Sequence, residues 1–447
     1  MSSYLLGIRL SCRGRRRPAG RAGLIAAASL FVLLVEPALC QHPGQPAAGQ
    51  RLPAGIRLDG VTAYSGSDWL QILDGSNPST PPLWLLTAGA SADVGADFGQ
   101  RARLSIGYHA GYSYNQRFSA LRGADHAVSF EFRTDPARRT VFTASAAGAT
   151  GPISDALFDP RYALRVVQQA SSISEVAAGI NPSSPGAVIN SPIELAFSGG
   201  RRRSGMALVG VTHSHSRRLS SFAHIGAARE IHSYRGEQQV ILQYPNVTVA
   251  MTDAGVTYHL SNRTSISGIV GYTRSYSRLY RADWQSAGIG IDRLIGRRSF
   301  ASLQAGYARM SGAETAGFGR SSYTLAGTLG TMKGFHTLAM TARRGVSDLH
   351  GLHADSTIAF EGVWSWARPA TAWSFGGSLG YERLRGAGVG TVQAWVGQAT
   401  LVRRLSPHFQ LAFAGMYLSN SGQEIVGLAR RGCRVSLVWT PGLEHRR

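Results

Sequence analysis

Long runs in which apolar and polar residues alternate strictly, aromatic residues toward the ends of those runs, and small polar residues on the opposite parity together predict an all-β chain. The fold they point to is a closed antiparallel transmembrane β-barrel of about 16–20 strands, about 18 by the runs that can be assigned.

The chain opens on a different grammar. Arg9, Arg13, Arg15, Arg16, Arg17 and Arg21 form a positive region, and an apolar run follows from Ala22 to Val35, broken only by Ser29. Small residues around Ala38 and Cys40 then predict a secretory signal over 1–40, cleaved before Gln41. The bulky Leu39 disfavours lipidation of Cys40. The segment 41–82 is rich in Pro, Gly and Ala and reads as a flexible periplasmic lead-in, with the barrel filling 83–447.

Within the barrel the first two runs are the clearest. Trp84, Leu86, Ala88, Ala90, Ala92, Val94, Ala96 and Phe98 alternate with Leu85, Thr87, Gly89, Ser91, Asp93, Gly95 and Asp97. Leu104, Ile106, Tyr108, Tyr112 and Tyr114 then alternate with Arg103, Ser105, Gly107, His109 and Ser113. Further strands are expected over 125–133, 140–150, 193–198, 206–216, 221–231, 247–260, 264–276, 284–293 and 299–309. The remainder fall over 321–331, 335–343, 357–366, 372–383, 391–402, 408–417 and 433–439. Turn-like clusters such as Gly199-Gly200-Arg201, Ser261-Asn262-Arg263 and Gly296-Arg297 separate them. A long loop is expected at about 151–192, where five prolines interrupt the rhythm and 162–178 could form a short helix.

Alternation alone also fits a soluble sandwich. The strands, however, are longer than soluble ones, and no uncharged apolar run beyond the signal is long enough for a membrane helix. A closed barrel is the sheet that pairs every backbone group in lipid. Trp84 with Phe98, Trp373 with Tyr381, and Trp364 with Trp366 sit where interfacial girdles belong. The opposite parity holds Glu131, Arg133, Ser322, Thr324, Thr328, Glu361, Ser374, Ser378 and Glu382, more polar groups than a dry core can hold cheaply. On these residues the chain resembles porin-like outer-membrane β-barrel proteins of Gram-negative bacteria over about 84–439. In general look it is also similar to barrels linked to exopolysaccharide export. Val435, Leu437 and Trp439 supply the alternating last strand of such barrels, although 440–447 follow it.

The resemblance implies an outer-membrane pore for small solutes. Anions are the expected preference, because the formal charge is +21 and the leader's six arginines and Glu36 account for +5 of it, leaving +16. Two alternatives stand beside the pore: a barrel for exopolysaccharide export, and a non-conducting structural or adhesive barrel. Lumen-facing candidates are Asp93, Asp97, Arg103, His109, Glu131, Arg133, Glu361 and Glu382. Arg201, Arg202 and Arg203, read at a turn, are candidates for contact with anions or lipopolysaccharide phosphate.

No cofactor or metal is expected. Cys433 is the one cysteine beyond the leader, and His213 and His215 have no third ligand near them in sequence. No Gly-x-Ser-x-Gly lies around a strand-turn-helix, the context a nucleophile elbow needs, so no enzyme is expected. Expected partners are outer-membrane lipid and lipopolysaccharide, the barrel-insertion machinery and, under the export reading, periplasmic export proteins. Nucleic acid is not among them.

Overall fold

A computed structural model describes residues 51–52, 56–73, 83–99, 101–115, 122–152, 201–233, 246–278, 281–312, 321–348, 354–368, 371–386, 390–422 and 427–440. The strands are β1 (Arg51–Leu52), β2 (Ile56–Leu73), β3 (Leu83–Phe98), β4 (Ala102–Asn115), β5 (Gly123–Ala137) and β6 (Thr140–Pro152). Next come β7 (Arg201–Ser214), β8 (Leu219–Ser233), β9 (Val247–Ser261), β10 (Thr264–Ser277), β11 (Arg281–Ile295) and β12 (Ser299–Gly312). The rest are β13 (Ser321–Lys333), β14 (His336–Asp348), β15 (Ala354–Ala367), β16 (Trp373–Gly386), β17 (Gly390–Arg404), β18 (Phe409–Gly422) and β19 (Gly427–Trp439). Each of β2 to β19 pairs antiparallel with its sequence neighbours, and β19 pairs back onto β2, with Trp439 opposite Val61. The result is a closed 18-stranded barrel, with the two-residue β1 attached to the foot of β2.

Closure follows from the membrane. A sheet edge left open in lipid would strand a row of N–H and C=O groups, each costing several kcal/mol. One end carries tight connections, such as Asn262-Arg263 between β9 and β10 and Gly334-Phe335 between β13 and β14. The other end carries the long ones, 153–200 among them. That asymmetry makes the short-turn end periplasmic and the long-connection end extracellular.

The outward face is apolar around its middle. Ile225 (65% exposed), Ile289 (69%) and Leu329 (60%) point away from the barrel. Aromatic residues mark the two ends of the belt: Trp84, Tyr112 and Tyr323 toward the extracellular side, Phe98, Trp373 and Phe375 toward the periplasmic side. Trp84 meets Trp69 edge to face at 4.5 Å across β2 and β3.

Several expectations are corrected. The segment 41–82 is not lead-in throughout, because Ile56–Leu73 is the first wall strand. Its polar residues fall on both parities, Ser65, Ser67 and Asp68 among them, so no alternation announces it. Pairing with β19 and β3 holds it extended, across a register shift at Leu58/Gly60. The long loop begins later than 151, since β6 runs through Pro152. Arg201, Arg202 and Arg203 open β7 rather than lie in a turn, held there by pairing with Pro152, Gly151 and Thr150. The expected signal, the strand at 193–198, the helix at 162–178 and the tail 441–447 lie outside the described residues.

Candidate functional site

Antiparallel partners share a face, so the register fixes which side chains look inward. Asp93, Asp97, Arg103, His109, Glu131 and Arg133 all take the inner parity of β3, β4 and β5. Glu361 and Glu382 take the inner parity of β15 and β16. They do not form one site. Asp97, Arg103 and Arg133 gather at the periplasmic mouth, where Arg103 Nε stands 3.9 Å from Asp97 Oδ1 and both side chains are half exposed. An exposed pair of that length contributes little to stability.

Two patches of inner wall are built more tightly. In the first, β19, β2, β4 and β5 converge. Arg430 donates to Asp68 at 2.5 Å, the two side chains being 3% and 6% exposed. Arg434 lies 4.3 Å above the centre of the Tyr64 ring. Tyr64 stacks on His109 with centroids 5.5 Å apart, and its hydroxyl stands 3.1 Å from His109 Nε2. His109 Nε2–H donates to Asp125 Oδ2 at 2.9 Å. Gly89 makes room for this row, because a Cβ there would stand 2.5 Å from the Tyr64 hydroxyl and from the Ala110 carbonyl oxygen.

The second patch faces a cavity of about 490 Å³ whose wall includes Thr273, Ser275, Trp284, Ser286, Gln304, Arg343 and Thr357. Thr328 and Thr341 pair across β13 and β14 beside it, two residue pairs along from Arg343 and Ala326. On β8 and β9 the inner face adds His224, which bonds Asp253 at 2.8 Å, and His232, which bonds Glu230 at 2.9 Å. Among the described residues no group of three or more His, Cys, Asp or Glu is placed to hold a metal ion. His213 instead takes the outward parity of β7 and bonds Thr140.

Tyr64, Asp68, Arg430 and Arg434 escaped the sequence reading. Asp68 lay in the supposed lead-in, and Arg430-Arg431-Gly432-Cys433-Arg434 shows no apolar parity. The one available signal was Val61, Ala63 and Trp69, a sparse outward set two or more residues apart.

Among the described residues the inner face holds more carboxylates than arginines. Asp68, Asp93, Asp97, Asp125, Glu131, Glu230, Asp253, Asp292, Glu361 and Glu382 stand against Arg103, Arg133, Arg343, Arg404, Arg430 and Arg434. The basic excess lies outside. Arg201, Arg203, Arg229, Arg274, Arg281, Arg309, Arg344, Arg383, Arg385 and Arg431 take outward parity near the extracellular ends of their strands.

No family model matches the sequence, and no curated protein matches it. Among solved structures, Pseudomonas aeruginosa OccK2 (OpdF) in complex with glucuronate is similar at 12% identity and a TM-score of 0.43, covering 86% of this chain and 98% of that one. A BenF-like porin from Pseudomonas fluorescens Pf-5 is similar at 10% identity and a TM-score of 0.45, covering 86% and 98%. Acinetobacter baumannii OccAB4 is similar at 7% identity and a TM-score of 0.42, covering 87% and 99%. By its own closed wall, apolar belt and polar inner face, this chain is a bacterial outer-membrane β-barrel of porin-like build.

Proposed function

We propose that this barrel is a pore for small polar solutes, with a modest preference for anions. The observation that carries the reading is the inner face: charged, hydroxyl and amide side chains run along it, and Thr273, Ser286, Gln304 and Arg343 reach a cavity of about 490 Å³, where a dry core would be apolar throughout. The anion preference rests on the outward arginines near the extracellular mouth, whose field reaches about 10 Å at 0.1 M salt. The carboxylates of the inner wall oppose that field, which keeps the preference modest. Nothing observed favours exopolysaccharide export over the pore.

Planar-bilayer recording tests the reading. Protein purified from outer membranes should insert to give discrete, ohmic conductance steps. Insertion without conductance would replace the pore with the non-conducting structural barrel.

A further inference from the structure

The arginines of the extracellular rim are not evenly placed. On the outward face of β8 to β12 the register sets them in neighbouring rows: Arg229 opposite Thr248, Arg281 opposite Tyr276, Arg274 opposite Asp283, and Arg309 opposite Gln285. One carboxylate organises the group. Asp283 accepts from Arg274 at 2.5 Å and from the Tyr272 hydroxyl at 3.0 Å, and Arg281 lies 3.9 Å away. Arg274 leans over Tyr272 and Tyr276, and Arg281 over Tyr276 at 5.3 Å. Arg229 and Arg309 are exposed and form no ion pair among the described residues. Four guanidinium groups against one carboxylate leave a surplus of positive charge facing the membrane, at the level where the apolar belt gives way to headgroups.

The same strands continue downward into apolar surface. Val270 (58% exposed), Ile289 (69%) and Leu303 (51%) lie below the arginines on β10, β11 and β12. A basic cluster set above an outward apolar strip matches an amphiphile with an anionic head and acyl chains. Guanidinium forks match phosphate in particular, through parallel N–H···O bonds. The strip belongs to the belt that meets acyl chains, so the head and tails of one lipid would fall on contiguous surface here.

We propose that the outward face of β8–β12 is a binding site for a lipid of the outer leaflet that carries more than one phosphate, the phosphates shared along the rim among Arg229, Arg274, Arg281 and Arg309. Asp283 and the two tyrosines hold Arg274 and Arg281 in position for it. The site faces away from the lumen, so it does not depend on conduction.

Native mass spectrometry of the protein purified in detergent tests this, with diphosphorylated lipid A, the dephosphorylated lipid and inorganic phosphate as separate probes. Diphosphorylated lipid A should bind the wild-type barrel. The double variant Arg229→Gln, Arg309→Gln should bind it at least about tenfold more weakly, since each basic side chain near a membrane surface is worth a severalfold factor. That variant leaves the Arg274–Asp283 pair intact, and heat-modifiable gel migration checks that it folds. Arg293→Gln with Lys333→Gln, outward at the periplasmic end, should bind as wild type does. Equal binding of the dephosphorylated lipid would overturn the proposal. So would inorganic phosphate competing at the same concentration as lipid A, which would make the patch a free-anion site. A lipid-free complex of several barrels that the rim variant dissociates would assign the patch to barrel–barrel contact instead.

Discussion

At the scale of single residues the protein is governed by parity. A side chain one position along a strand moves from lipid to lumen, and the two solvents price charge differently. Ile289, midway along β11 and 69% exposed, faces lipid; Ser286 faces the inner cavity. Ile289→Arg should therefore cost about 2–4 kcal/mol in urea titrations of refolding into vesicles, while Ser286→Arg should cost under about 1 kcal/mol. Equal losses would contradict the assigned faces. The Arg430–Asp68 pair joins the last strand to the first across the seam of the barrel, and both partners are buried. Asp68→Asn removes one charge and leaves the other, so it should destabilise by about 3–5 kcal/mol. The double variant Asp68→Leu, Arg430→Met removes both and should recover a large part of that loss in the same titration. A double variant no better than the single would show that the pair does not act as a unit.

At the scale of strands and turns, register does most of the work, and the tight periplasmic turns set it. Gly99, Gly296 and Gly334 hold φ of +66°, +70° and +61°, a left-handed conformation that a Cβ penalises. Nothing lies within 4 Å of a Cβ built at Gly334, so a substitution there meets no steric neighbour and reports backbone strain alone. Gly334→Ala should cost about 1–2 kcal/mol, read as a shift of the unfolding midpoint with unchanged dependence on urea. A changed slope would instead indicate that the β13–β14 hairpin had slipped. β2 shows the limit of local pattern. Its Gly, Ser and Asp residues carry no alternating signal, and only pairing on both sides makes it a strand.

At the scale of the whole molecule, the question is where the charge sits relative to the conduction path. In a bilayer of zwitterionic lipid, reversal potentials across a salt gradient should show a modest anion preference near 0.1 M. It should fade toward 1 M, where the screening length falls to about 3 Å. Replacing Arg201 and Arg203 by Gln should weaken it further, since both lie at the extracellular end of β7. Cation selectivity at every salt concentration would show that Asp68, Glu230, Glu382 and their neighbours set the field instead.

By itself the sequence determined the class of fold and the faces of the clearest strands. The alternation from Trp84 to Phe98 and from Ala102 to Tyr114 follows from a wall with lipid on one side and polar groups on the other. A period of two survives in the residues whatever the partners are. Asp93, His109, Glu131, Glu361 and Glu382 share one parity of their strands for the same reason. The tertiary structure alone decided which distant residues meet. Arg430 finds Asp68, and Arg434 finds Tyr64 and thence His109 and Asp125, because closure lays the last strand against the first. It also decided that most of the described wall's arginine excess lies outside the lumen. Net charge is a sum over the chain, and only the register assigns each term of that sum to a side of the wall.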